Sequence, residues 1–377
     1  MQNHGKDPAL RQQAGRAYSI IGEIHFLFGR HADAEQSFQK ALELQRKLAD
    51  KYPHQLEYKL DLIWTHHDRY YNYRDRKALD EAEAVIKEIL AIREQLVGDH
   101  SKEIAYYREL ANSYHDLSDI YQMARKSEES LEAYRQVTRA WERLLDQYPA
   151  NSDFAVDLAW SYDQMGGRLN ERGRTLDALE WKDRAILALE GLLEKEPRNN
   201  RARILLRNAH SGRAWIFEGQ GRDQQARAEW ERAIELDRGA VGAAAETYRM
   251  NVDRILARTG EHAKAVVEAQ ALTSPAWVNL FLLRDAAGVF AVSSTAALGD
   301  SRLPESERRK LAQQYADQAV DCLKKARAAG YFSYDEAARI EGLRTDMNLD
   351  ALRQRPDFQE LIRSFHPTDR PKWPSSN

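Results

Sequence analysis

The sequence predicts an all-α protein, a right-handed α-solenoid of about seven helix-turn-helix units closed by a C-terminal capping helix. Three observations predict it. Only 37 of the 377 residues are Val, Ile or Thr, too few for a large sheet. Gly and Pro together number 29, too few for the turns that many short strands need. Above all, the chain repeats itself every 48 residues, and a repeat of that length is the signature of a stacked array.

The repeat is legible column by column. Ala34, Ala82, Ser130, Ala178 and Ala226 are small and evenly spaced, and Phe38, Ile86, Tyr134, Trp181 and Trp230 follow as a bulky column. Ala41, Ile89, Val137, Ala185 and Ala233 come next at the same period. Upstream, Tyr18, His66, Tyr114, Tyr162 and His210 align, then His25, Tyr73, Tyr121, Leu169 and Phe217. Between the blocks lie Gly29-Arg30, Arg76-Lys77, Arg125-Lys126, Gly173-Arg174 and Gly221-Arg222, where a left-handed helix cap is natural. Each unit therefore reads as two antiparallel helices, the second placing small, large and small residues along one face. Such a pair cannot bury its apolar stripe alone and stacks on the next.

Five units are expected, at about 7–53, 54–101, 102–149, 150–197 and 198–239, with Pro53, Pro149 and Pro197 closing three of them. Residues 240–330 hold two divergent pairs. The sixth runs from about Ala240 with Gly260 and Ala265 repeating the turn-to-alanine spacing, and the seventh joins Ala276–Leu298 to Glu305–Ala329, with Pro304 as a helix start. Residues 331–366 form the cap, ending in a short helix that groups Phe358, Leu361 and Ile362, and residues 367–377 are read as a frayed tail.

Composition excludes other classes. One cysteine, Cys322, excludes a disulfide framework or a cysteine zinc module and fits the cytoplasm; it sits in the apolar phase of a helix, as a buried thiol does. The segment Met1 to Arg11 has no apolar core for a signal peptide. The stretch Ala286–Leu298 is too short to span a bilayer, so no membrane insertion is expected. A net charge of −3 without a basic run gives no footprint for nucleic acid.

The columns Tyr18, Gly22, Gly29, Ala34, Phe38 and Ala41 resemble the tetratricopeptide repeat, although the period is 48 rather than the usual ~34 and Tyr70 and Ser118 replace the usual glycine. In repeat 4, Lys182 displaces the bulky column. Adding about seven residues to each helix lengthens it without rotating its core stripe. Together with Leu90-Ala91-Ile92-Arg93-Glu94-Gln95-Leu96, Ala328-Ala329-Gly330-Tyr331, Leu343-Arg344-Thr345-Asp346 and Arg355-Pro356-Asp357-Phe358, the chain is similar to the C-terminal tetratricopeptide region of certain large bacterial serine/threonine protein kinases. No Gly-rich phosphate loop, His-Arg-Asp catalytic loop or Asp-Phe-Gly is present in it. The resemblance implies a non-catalytic protein–protein interaction scaffold without a cofactor. Its alternatives are the non-catalytic portion of such a kinase, or a sensor of a peptide or small ligand.

In tetratricopeptide arrays the first helices line a concave surface that receives a partner segment. Carried over by alignment, the candidate face comprises Arg16, Ser19, Glu23 and Phe26, then Trp64, His67, Asp68, Tyr71, Arg74 and Asp75. It continues through Asn112, His115, Asp116, Asp119 and Gln122, through Trp160, Asp163, Gln164, Asn170 and Glu171, and through Asn208, Ser211, Trp215 and Glu218. Eight carboxylates against two bases, interleaved with aromatics, suit a partner carrying Lys or Arg. No metal is expected: His66 and His67 diverge by about 100° on a helix, and His66 falls in a packing column.

Overall fold

A computed structural model describes residues 7–100, 103–237, 244–274, 279–333 and 336–365. The described residues form sixteen α-helices and no strand. The chain divides into two compact units, Met1–Pro197 and Arg198–Asn377.

The first unit holds four helix pairs: α1 (Pro8–Leu27) with α2 (His31–Lys51), α3 (Leu56–Asp75) with α4 (Leu79–Asp99), α5 (Ile104–Met123) with α6 (Ser127–Gln147), and α7 (Ser152–Asn170) with α8 (Thr175–Lys195). First helices begin at 8, 56, 104 and 152 and second helices at 31, 79, 127 and 175, so the 48-residue period holds without a slip. Side-chain caps set two of the first-helix starts. Asp7 accepts from the Ala9 N–H with Pro8 opening the helix, and Asn151 accepts from the Phe154 N–H. Each first helix stops at a left-handed residue, namely Gly29, Lys77, Arg125 and Gly173, with φ between 58° and 72°. The following amide then reaches back to the fifth residue before it, as Arg30 N to His25 O and Lys126 N to Tyr121 O do, both at 2.8 Å. This closure satisfies the orphan carbonyls of the helix end and reverses the chain in three residues.

The second-helix columns form the core. Ala34, Ala82, Ser130 and Ala178 are fully buried, as are Phe38, Ile86 and Tyr134. In the fourth repeat the bulky position belongs to Lys182, which is buried, while Trp181 is half-exposed against Tyr162 with Arg184 over its ring. The column named from sequence is thus corrected by one residue. In repeats 1 and 4 the side chain at this position, Phe38 and Lys182, lies against a first-helix glycine, Gly22 and Gly166. A methyl group on Gly22 would fall 2.4 Å from Phe38 Cε1. We expect Gly22→Ala to destabilise the unit by ~1–3 kcal/mol through overpacking, with partial recovery on adding Phe38→Leu, as measured by chemical denaturation.

The second unit begins with α9 (Asn200–Gly219) and α10 (Asp223–Leu236), which keep the 48-residue register, including left-handed Gly221. The next pair is α11 (Ala244–Arg258) and α12 (His262–Thr273), turning at Gly260. The expected start near Ala240 lies outside the described residues. The last pair is α13 (Leu280–Gly299) and α14 (Glu305–Ala328), for which Pro304 is the N-cap. Ala276, the expected start of that pair, also lies outside the described residues.

By length and composition α13 could cross a membrane, which corrects the shorter apolar stretch read from sequence, because the helix continues N-terminally through Arg284 and Asp285. Here it is a core helix, packed by α11, α12, α14 and the segment Met347–Leu352, with Ala286 to Ala291 all buried. Cys322 is buried on α14, and burial pushes its thiol up to about 11. The C-terminal part contains α15 (Glu336–Thr345), which the sequence pattern did not reveal, a 3₁₀ segment (Met347–Leu352) and α16 (Pro356–Arg363). Leu349, Leu352, Phe358 and Leu361 are buried and Ile362 half-buried. The expected tail, 367–377, lies outside the described residues.

Candidate binding surface

In the first unit the face in question is built by α1, α3, α5 and α7. Side chains meet across it one repeat plus one residue apart. Gln12 Nε2 donates to Asp61 Oδ2 at 2.8 Å, Arg168 Nη2 to Asp119 Oδ1 at 2.7 Å, and Gln122 Nε2 to Glu171 Oε2 at 3.0 Å.

Its centre is aromatic and only partly solvated. The His67 ring stands edge-on to Tyr71 at 4.7 Å, and the Arg74 guanidinium covers Tyr71 at 4.6 Å. One repeat on, the His115 ring stacks on Trp160 at 5.5 Å and meets Tyr134 edge-on at 5.7 Å. Burial holds both imidazoles below the usual histidine range, so they face the groove neutral. His66 instead enters the core beside Glu88, and burial depresses it to about 3. Trp64 projects with 68% of its surface exposed. Phe26 rests against His31 at 6.0 Å, and Asn112 and Asn170 are exposed with Gln164 half-exposed.

The acids fall into two groups, a division the sequence did not disclose. Asp119 is engaged by Arg168, whose buried guanidinium also donates to Ser118 Oγ and lies 4.1 Å from the Tyr134 ring centre. Asp163 is engaged by Lys182 at 2.6 Å, with both side chains nearly buried. Glu171 accepts from Gln122, and Asp75 lies 3.6 Å from His31. Asp68 and Asp116 are different. Both are half-buried and both are raised chiefly by burial, to about 7 and about 6. Glu23 adds like-charge repulsion at Asp68, whose Oδ2 has no hydrogen-bond partner in the protein. Arg74 and Arg93 partly offset the burial of Asp116.

The simple excess of carboxylates read from sequence is therefore corrected. Arg93, Arg168 and Lys182, none of them counted among the first-helix positions, supply cations to this face. Lys182 stands out in sequence as a charged residue in an otherwise apolar column, and Arg93 as the charged residue of a column that also holds Gln45, Trp141 and Leu189.

Trp215 and Glu218 belong to the second unit. Trp215 is half-exposed, edge-on to buried Trp230 at 5.3 Å. Glu218 is nearly buried and accepts from Trp230 Nε1 at 2.8 Å, Arg258 Nη2 at 2.9 Å and Arg254 Nη2 at 3.2 Å. It is a structural hub and not an open groove acid.

Short loops, left-handed turns and small-large-small second helices at a fixed period define a helical-repeat protein. Family models described as tetratricopeptide repeat match residues 15–48, and residues 71–101 and 110–150. The chain contains tetratricopeptide repeats over these residues. Among solved structures, a signal transduction ATPase with numerous domains and a tetratricopeptide repeat sensor, from Pyrococcus horikoshii, shares the fold at 13% identity and a TM-score of 0.52. That match covers 89% of this chain and 45% of the other. BtubC from P. vanneervenii is similar at 14% identity and a TM-score of 0.46, over 63% of this chain and 87% of its own. A tetratricopeptide repeat protein from Parabacteroides merdae is similar at 15% identity and a TM-score of 0.38, over 85% and 94%. No curated protein matches the sequence significantly.

Proposed function

We propose that the protein is a non-catalytic interaction scaffold whose first unit binds a basic partner segment along α1, α3, α5 and α7. One observation carries this reading: Asp68 and Asp116, on successive first helices, are half-buried carboxyls raised by burial, Asp68 with an oxygen that has no hydrogen-bond partner and beside a further acid, Glu23, and Asp116 only partly offset by Arg74 and Arg93. A Lys or Arg delivered by a partner would relieve the repulsion and lie against Trp64, Tyr71 or Trp160.

The pH dependence follows from the raised values. In the folded protein Asp68 resists ionisation until about pH 7, whereas in the unfolded chain it ionises near 4. Its neutral form is favoured on folding, so that contribution is complete below the unfolded value and is lost as pH rises through about 7. Asp68→Asn should thus raise the melting temperature at pH 8 and have no effect at pH 4. Binding runs the other way, since a cation prefers the ionised acids: affinity for a Lys/Arg-rich peptide pool should rise from pH 5.5 to pH 8. It should also fall as salt increases from about 0.05 M to about 0.5 M. Fluorescence anisotropy on wild type and the Asp68→Asn, Asp116→Asn double variant tests both. Equal, salt-insensitive binding of acidic and basic pools would sink the reading.

A further inference from the structure

The repeat period allows each position to be compared with its equivalents, and one position stands out. The column Gln45, Arg93, Trp141 and Leu189 is buried throughout. Trp141 and Leu189 fill it with apolar atoms. Arg93 fills it with a guanidinium that crosses to the next helix, where it donates to Glu109 O at 2.8 Å, to Glu109 Oε2 at 2.7 Å and to Ser113 Oγ. Gln45 sits at the same place relative to Asp61 and Thr65, the counterparts of Glu109 and Ser113. Its shorter side chain reaches neither. It is 1% exposed, and its Nε2 and Oε1 have no hydrogen-bond partner in the protein.

A cavity of about 290 Å³ opens above it, lined by Gln45, Asp61 and Thr65 with Ser19, Glu23 and Trp64 around them. In repeat 2 the bulk of His67 and Tyr71 occupies the positions that are Ser19 and Glu23 here. Repeat 1 thus lacks both the internal guanidinium and the side chains that would cover it.

We infer that this cavity is a binding site for an arginine side chain of a partner segment, seated where Arg93 sits in the following repeat. The chemistry favours a guanidinium. Gln45 Oε1 is an unused buried acceptor, and Glu23 is an exposed carboxylate at the rim. Asp61 binds Gln12 and Arg16 through one hydrogen bond at each oxygen, which leaves it lone pairs to spare. The charges facing the cavity are Arg16, Asp61 and Glu23, with Asp68 beside Glu23, so the site is net negative. The exposed Trp64 indole offers its face to a flat cation. The inference rests on the proposed basic partner and names the residue it would present.

The test uses the full chain and labelled nonapeptides of a Gly/Ser frame with two lysines and one variable residue, which is arginine, lysine or citrulline. Citrulline keeps the shape and one N–H face but not the charge. Arginine should bind at least about tenfold more tightly than citrulline, with lysine between them. Gln45→Arg would supply the internal guanidinium and should bring the arginine-to-citrulline ratio within about twofold while the lysine frame still binds. Glu23→Gln, at an exposed site, should reduce the same ratio and serves if Gln45→Arg does not fold. Equal binding of arginine and citrulline, or a ratio unchanged in both variants, overturns the arginine site and leaves the basic-groove reading intact. Failure of every lysine-bearing peptide to bind overturns both.

Discussion

Asp163→Ala is expected to lower the stability of the first unit by ~3–5 kcal/mol, whereas the Asp163→Ala, Lys182→Met double variant is expected to recover most of that loss. The difference comes from the fourth repeat's core. Lys182 holds the position that Phe38, Ile86 and Tyr134 hold in the first three, and its Nζ meets Asp163 Oδ1 at 2.6 Å with side chains only 7% and 13% exposed. Removing the acid alone strands a desolvated ammonium, and removing the lysine alone strands a carboxylate that is only slightly more exposed, whereas replacing both removes the desolvation cost of the pair. The methylene stem already packs on the backbone of α7, since a methyl on Gly166 would lie 3.0 Å from Lys182 Cγ. Urea denaturation of the two single variants and the Asp163→Ala, Lys182→Met double variant measures the difference. If the double variant is no more stable than Asp163→Ala alone, the stranded charge is not the cause. Asp163 is consequently a poor choice for probing ligand binding, because its loss would act through folding.

How far the molecule was legible from its sequence depends on which interactions repeat. The left-handed turns and the buried column of small residues recur in each repeat, so several copies in phase revealed them. Even Lys77 and Arg125, which lack the glycine that usually marks such a turn, are identified by the register of their neighbours. Interactions that occur once were not legible. The pairing of Arg168 with Asp119, the loss of Asp163 to Lys182 and the isolation of Asp68 depend on which helix supplies a counter-charge. A column alignment shows the face a residue lies on but not what crosses to meet it. A signal did exist, in the offset of one repeat plus one residue that links Gln12 to Asp61, Asp119 to Arg168 and Gln122 to Glu171. Gln45 escaped notice for the opposite reason: a polar residue in a buried column looks ordinary until its equivalents are seen to be filled or satisfied.

In the second unit, Glu218→Ala should cost ~3–5 kcal/mol, and Glu218→Gln somewhat less. The carboxylate gathers three donors from two helices: the indole N–H of fully buried Trp230 on α10, and the guanidinium groups of Arg254 and Arg258 on α11. Arg258 retains Asp223 at 2.7 Å when Glu218 is lost. Arg254 does not have that recourse. It is 3% exposed, its Nε already lacks a partner, and its remaining neighbours are the ring of Trp215 at 5.5 Å and the raised carboxyl of Asp285. Gln keeps an acceptor for Trp230 but withdraws the charge that compensates Arg254, which places its effect between wild type and Ala. Amide exchange resolved by helix distinguishes this from a change in a peripheral salt bridge, which is worth ~0–1 kcal/mol. Protection should fall throughout α9, α10 and α11 in Glu218→Ala. A loss confined to the exposed end of α11 near Arg258 would mean that Glu218 serves only the surface pair, and that buried Arg254 is held by Asp285 instead.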